Sequence, residues 1–509
     1  HKTGGIRARD VIDHQGRIRG DATKKLKNIL TIRLRLTAKK RGKTMQRSKI
    51  VRARFVAAAI IVLPGELRSE RIELKNAVET AMQTHPEINQ AVENKPAIEF
   101  EREQAEGLFL PRISVEGSVG IRRLENATRR SLGIANKELY PLEAGLSVEQ
   151  ILFDGGSRSS EVKRQASRTD GAAFRVEERA QFVALQVSRQ YLDYLLQQRI
   201  VAASEDNIGF HDRLVGDLLE AVTNSSISIA DQQQAEERQQ AARARLTEAN
   251  QDMVNTAAAF RTLTGLDLVD GAMLPPSLGE SIPNSLEESI ARARENHPLV
   301  RQAQADLDAA HALVRKAKAE TVPTLALEGN ARIGEDIDGF RGETNDLQGG
   351  LVLRWDVFSG GVKRAKIQEM YRRQRETQFR LDQMIREAEE DVRVAWNAWD
   401  SQGKLVKELD AQSTVSDDLL RSYRAQFNVG RRSLLDVLDA QNTRYNVQVR
   451  AETARFAQFF AEFKLLAAQN ALLQAMQIAP PKAAQASARA RFNVVPAAPL
   501  ASEVLRDPR

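Results

Sequence analysis

The chain says the same thing twice, and a duplicated pattern restricts a fold more than any single motif. Pro111-Arg-Ile-Ser-Val-Glu-Gly117 returns as Pro323-Thr-Leu-Ala-Leu-Glu-Gly329, and His85-Pro86 returns as His297-Pro298, both 212 residues on. Phe153-Asp-Gly-Gly156 returns as Phe358-Ser-Gly-Gly361, and Ser228-Ile-Ala-Asp231 as Ser433-Leu-Leu-Asp436, now 205 residues apart. Four landmarks keep their order through one change of spacing. The fold must therefore be built from two similar halves.

Proline shows what each half contains. None lies between Pro141 and Pro275, or between Pro323 and Pro480. An interior proline costs a helix about 3 kcal/mol, so both gaps admit very long helices. From Gly156 to Ala221, apolar residues such as Val162, Ala166, Val183, Val187, Tyr191 and Leu195 keep three- and four-residue steps. That spacing predicts a helix roughly 100 Å long at a rise of 1.5 Å per residue. Its counterpart runs from Lys363 to Phe427, with Trp396 and Trp399 on one side. After each comes a short Gly/Asn/Ser break and a second helix, over 229–264 and 433–477. Helical hairpins of this length exceed ordinary globular helices, and taken alone they fit a free-standing coiled coil.

Four short segments argue otherwise. Ile113, Val115, Gly117, Val119 and Ile121 alternate with Ser114, Glu116, Ser118 and Gly120. The same period of two runs through Leu142–Val148, Leu325–Ile333 and Leu351–Val357, predicting strands with one apolar and one polar face. Polar loops, 122–141 and 334–346, join each pair and absorb the change of spacing. Four strands cannot close a barrel, and a bare strand edge in lipid costs several kcal/mol per unpaired group. Strands of this kind that cross a membrane must be pooled among several chains.

Composition removes other readings. Residues 1–54 hold 18 Lys and Arg against three Asp, so the net charge of +7 hides a remainder near −8. A nucleic-acid binder needs its basic residues on the folded body, so no nucleic-acid partner is expected. Met45–Arg54 reads as a positive n-region and Phe55–Leu63 as a short apolar h-region stopped by Pro64-Gly65, together a signal peptide. No other stretch is apolar over the ~18 residues of a transmembrane helix. There is no cysteine. The expected organisation is an upstream extension over 1–44, which does not start with Met, and a signal peptide over 45–69. A first repeat follows over 70–265, with a strand hairpin at 112–153 and a helical hairpin at 155–265. A linker spans 266–285 and a second repeat 286–478, with hairpins at 324–358 and 360–478. A flexible tail covers 479–509.

This order of elements resembles the TolC family of outer-membrane channels, over about residues 70–478. The local match is best in Gln426-Phe427-Asn-Val-Gly430-Arg-Arg432-Ser-Leu-Leu-Asp436-Val-Leu-Asp439-Ala440-Gln441 and in the strand-to-helix turns Phe153–Gly156 and Trp355–Gly361. The resemblance implies an α+β membrane protein, with long α-helical hairpins forming a periplasmic α-barrel. Each chain would add four β-strands to a 12-stranded barrel shared by a homotrimer in the outer membrane of a Gram-negative cell. Asp206-Asn207-Ile-Gly-Phe-His211 and Leu434–Asp439 are similar to the type I secretion subtype, and a chain without Cys carries no lipidated N-terminal Cys of the kind many efflux relatives have. The partners then implied are outer-membrane lipid, a periplasmic adaptor, an inner-membrane ABC transporter and an exported protein such as a large adhesin. A drug or metal efflux channel shares the fold. A periplasmic coiled-coil scaffold without a pore is the alternative of another class.

Asp436 and Asp439 lie three apart, so a helix puts both carboxylates on one face. Spacing alone also fits ordinary solvated charges at a helix end. The resemblance makes them a periplasmic gate, two stacked acidic rings in the trimer, where charged rings select permeants. It also pairs Arg432 with an Asp of the neighbouring hairpin, which is Asp231 here, and puts Phe427 where the family often has Tyr. Repeat 1 turns through Asn224-Ser225-Ser226, with no glycine. Enzyme readings find little support: Gly360-Gly361-Val-Lys363-Arg364 lacks P-loop spacing, and the six histidines show no metal-ligand spacing. No catalysis, cofactor or metal is expected.

Overall fold

The computed structural model describes residues 72–223, 228–268 and 272–498, with Leu505. The expectations for 1–44 and 45–69, and the turn at 224–226, lie outside these residues. Two short helices open the described chain, α1 (Leu74–Thr84) and α2 (Pro86–Gly107), then β1 (Arg112–Val119), α3 (Ala127–Ser131) and β2 (Leu142–Phe153). The helical hairpin α4 (Ser157–Thr223) and α5 (Ile229–Thr264) completes the first round. The second round is α6 (Leu286–Asn296), α7 (Pro298–Ala319), β3 (Thr324–Glu335), β4 (Glu343–Arg354), α8 (Val362–Asn428) and α9 (Leu434–Ala468). Short helices α10 (Leu472–Ala475) and α11 (Ala488–Arg491) follow.

The punctuation explains the boundaries. His85 and His297 sit extended just before Pro86 and Pro298, which open α2 and α7 at the position where a proline costs nothing. α4 and α8 are both 67 residues long, about 100 Å at the helical rise. Each begins after two left-handed glycines, Gly155 and Gly156 or Gly360 and Gly361. Gly265, at φ 75°, ends α5, and its N–H donates to the Arg261 carbonyl at 2.7 Å. α9 stops sooner than the expected 477, because Asn470 turns left-handed at φ 61°.

All four strands form one antiparallel sheet in the order β1-β2-β3-β4, so β2 and β3 join the two halves. In register, Val115, Leu146, Ala331 and Leu347 share one face, and Glu116, Gly145, Arg332 and Asp346 the other. β4 departs from the expected strand at both ends. It begins at Glu343, because polar residues of the supposed loop pair with β3, and stops at Arg354, leaving Trp355 and Val357 beyond the ladder. The first loop is also more ordered than a polar linker: it contains α3 and the buried Arg129. The Arg129 guanidinium donates to the carbonyls of Ile134 and Lys137, both at 2.8 Å, and to that of Gly339 in the other loop.

Halfway along α4, the main core packs Val183, Val187, Tyr191 and Leu192 against α1 and against Phe463, Leu465 and Leu466 of α9. The Tyr191 hydroxyl lies 2.9 Å from the carbonyls of Ile72 and Met273 and accepts the Met273 N–H at 3.0 Å, which ties the inter-repeat linker to α4. Residues 479–498 are not the flexible tail expected from their composition. Asp170 of α4 accepts the N–H groups of Ala488 and Arg489, and Asp308 of α7 accepts that of Ala497. The Arg489 guanidinium bridges both carboxylates, at 3.1 and 2.8 Å. Asp170 and Asp308 are only 3% and 2% exposed, and these partners compensate two charges that would otherwise be buried alone. No helix among the described residues is long and apolar enough to cross a membrane.

Candidate functional site

The far ends of the two helical hairpins meet in one apolar cluster. Phe210, Leu214, Val215 and Leu218 of α4 pack with Ala235 of α5, Leu420 of α8, and Leu434, Val437, Leu438 and Ala440 of α9. Tyr423 and Phe427 pack on its edge, so Phe427 is a half-buried packing residue. Gly430, at φ 74°, turns the chain out of α8, and the Gly430 N–H donates to the Phe427 carbonyl at 2.9 Å. Ser433 then caps α9, accepting the Asp436 N–H at 3.2 Å and donating its hydroxyl to the Asp436 carboxylate at 2.7 Å. Asp436 in turn accepts the Ser433 N–H at 3.3 Å, completing a capping box.

Asp231 occupies the matching place in the first repeat. Ser228 caps α5 and donates to the Asp231 carboxylate at 2.7 Å. The duplication therefore preserves a helix start, and each acid does capping work before any gating work. Asp439, one turn beyond Asp436, is exposed. Within the chain Arg432 stacks on the Tyr423 ring at 4.1 Å and lies 3.9 Å from Asp436, a loose ion pair, while Asp231 is held by Ser228.

Above the cluster, a polar seam joins the hairpins; the sequence offered Asp206, Asn207, His211 and Gln441 only as parts of the family resemblance, not as a seam. Arg444 of α9 reaches Asp206 of α4 at 2.9 Å and Asp417 of α8 at 2.5 Å. Burial works to lower the Arg444 pKa, but the hydrogen bonds it donates to both carboxylates, with their charges, outweigh it and push it up. Gln441, fully buried, donates to Asn207 at 2.8 Å, and Ser204 lies 3.0 Å from the Tyr445 hydroxyl. His211 is 5% exposed, with no hydrogen bond at Nδ1, its ring edge-on to Phe210. Burial holds its pKa below the usual value, Arg238 and Arg245 add to that, and Asp212 opposes them. The available signal was polar residues where the helical stripe calls for apolar ones: Asn207 before Phe210 and Leu214, and Gln441 after Val437 and Leu438. Among the described residues no group of three or more His, Cys, Asp or Glu is placed to hold a metal.

The sequence pattern of outer membrane efflux proteins matches residues 77–266 and again 289–476. The chain belongs to the outer membrane efflux protein family. Among curated relatives, the outer membrane efflux protein BepC of Brucella suis is 23% identical over 323 residues, 63% of this chain and 70% of BepC. TolC of Vibrio cholerae is 22% identical over 419 residues, 79% of this chain and 91% of that protein. Protein CyaE of Bordetella pertussis is 23% identical over 312 residues, 60% of this chain and 64% of CyaE. Of solved structures, CusC superposes with a TM-score of 0.70 at 15% identity, covering 78% of this chain and 91% of CusC. The Campylobacter jejuni channel CmeC gives 0.68 at 15% identity, with 78% and 86% covered. These likenesses show the fold of an outer-membrane channel with a periplasmic helical tunnel. An outer membrane efflux protein is an efflux or secretion channel and not an enzyme.

Proposed function

We propose that this outer membrane efflux protein is the exit duct of a type I secretion system, passing an unfolded protein such as a large adhesin. Three copies would pool their strands and helices, with a periplasmic adaptor and an inner-membrane ABC transporter below. The observation that carries the reading is the polar face of the sheet. Its central rows hold Ser114, Ser147, Asn330 and Gln348, then Glu116, Gly145, Arg332 and Asp346, with no large apolar side chain. Its arginines are matched by acids: Arg332 lies 3.6 Å from Glu143 and 3.5 Å from Asp346. Turned toward the lumen, as the apolar face turns to lipid, such a wall offers an unfolded polypeptide nothing to stick to. Asp436 and Asp439 supply the acidic constriction at the tunnel end. Arg432, Asp231 and Phe427 support it, and the Arg444 seam fastens the hairpins above it.

Efflux of drugs or metal is the second reading, favoured by the name of BepC. A strain deleted for this gene separates them. Loss of a surface protein with unchanged drug and metal tolerance supports secretion, and lost tolerance with unchanged secretion refutes it.

A further inference from the structure

The two strand-to-helix turns descend from one pattern, yet they present different surfaces to the membrane edge. In the first repeat, the cation of the turn is consumed internally. Arg158 is 9% exposed, pairs with Asp154 at 2.9 Å, donates to the carbonyls of Leu108 and Ile151, and lies over the Phe109 ring. In the second repeat, Trp355, Val357, Phe358 and Val362 are 54%, 75%, 87% and 68% exposed. They continue the apolar face of β4, where Leu347, Leu351 and Leu353 are also exposed, beyond the last ladder pair. The Trp355 indole N–H donates to the Thr321 carbonyl at 3.2 Å, which fixes the ring while leaving half of it open.

A basic stretch begins where this patch ends. Residues 362–375 hold six Lys and Arg against one carboxylate, Glu369. Lys363 is spent on Asp356, at 3.4 Å, and Lys366 shares Glu369 with Arg373, each at 3.0 Å. Arg364 is exposed and makes no hydrogen bond or ion pair among the described residues. An aromatic and aliphatic patch followed within two turns by free positive charge is the arrangement that meets a bilayer at the level of its headgroups.

We propose that the second-repeat turn is a docking surface for anionic glycerophospholipid of the periplasmic leaflet. Trp355, Val357 and Phe358 lie along the upper acyl chain, and Arg364 meets the phosphate. Two features single out lipid as the occupant. The patch is continuous with the lipid-facing side of β4, and its charge is complementary to an anionic headgroup. Pairing of the β4 edge with another chain would use backbone groups in the plane of the sheet and leave this face open. The first-repeat turn, with its arginine buried, has no equivalent cation to offer. The assignment depends on the outer-membrane location of the family and not on which cargo passes.

Brominated lipids test it, because bromine on the acyl chains quenches only nearby indoles. The chain has three tryptophans, and Trp396 and Trp399 lie more than 30 residues beyond the start of α8, roughly 50 Å along it. Full-length protein is reconstituted in phosphatidylcholine vesicles with a fixed fraction of phosphatidylglycerol, one lipid brominated at a time, with Trp355→Phe as the blank. The expected result is an enrichment of phosphatidylglycerol at Trp355 of about fivefold, the effect of roughly one unscreened cation at a membrane surface. Arg364→Gln should bring the ratio to one. A ratio of one in the native protein overturns the proposal in favour of an apolar anchor. No Trp355 quenching by either lipid overturns it in favour of a contact between copies of the chain. Conductance of each variant in planar bilayers shows that it has folded and inserted.

Discussion

Replacing Arg444 by Ala removes both arms of a fork that ties α9 to α4 through Asp206 and to α8 through Asp417. The side chains are 22%, 56% and 40% exposed, so each link is discounted to about 0.5 kcal/mol, the range of solvent-screened pairs. The loss is then about 1 kcal/mol per chain. If three chains open together, about 3 kcal/mol is removed from the closed state, which raises the open-to-closed ratio roughly a hundredfold. Single-channel recording in planar bilayers reads this directly as open probability. Asp206→Asn in the Arg444→Ala background should add little, because its partner is already gone. An unchanged open probability in Arg444→Ala, or fully additive effects of the two substitutions, would refute the view that the seam holds the hairpins closed.

Asp436→Ala with Asp439→Ala should lower cation-over-anion selectivity, seen as a reversal potential moving toward zero in a salt gradient; an unchanged potential removes these acids from the permeation path. His211 gives the closed packing a pH dependence of known sign. Its folded pKa lies below the ordinary 6.5, so the packing keeps its full stability above that value and loses it as pH falls through it toward the lowered one. Open probability should therefore rise between pH 7.5 and 5.5 in the native channel and stay flatter in His211→Gln. Arg489→Ala leaves Asp170 and Asp308 buried without their counter-charge, a loss of about 3–5 kcal/mol. Thermal unfolding should shift down, and limited proteolysis should cut between residues 479 and 498 faster than in the native protein.

Helices α4, α5 and α8 were legible to within a residue or two because glycine and proline set them off, whereas α9 ends at Ala468, nine residues short of the expected 477. Gly155-Gly156, Gly360-Gly361, Pro86 and Pro298 act locally, so one sequence reveals them. β4 was harder. Its first residues are polar on both faces, and backbone pairing with β3, which leaves no mark on composition, makes them a strand. Its far end misled in the opposite sense, since Trp355 and Val357 extend the alternation into the surface patch beyond the strand. At the site, the correspondence of Asp231 with Asp436 was legible, but the capping bonds that Ser228 and Ser433 make to them from three residues away were not. The seam pairs Ser204 with Tyr445 and Asn207 with Gln441 across more than 230 residues, and no local rule spans that distance.

The docking of residues 479–498 on Asp170 and Asp308 also orders events in time. Asp170 and Asp308 are made early, and the arginine that neutralises them both lies 319 and 181 residues downstream. A chain emerging from its amino end thus carries two uncompensated carboxylates at helix surfaces that cannot close in a dry environment. The turn that carries Arg489 therefore acts as a completion check: a chain cut before it leaves Asp170 and Asp308 without their shared counter-charge.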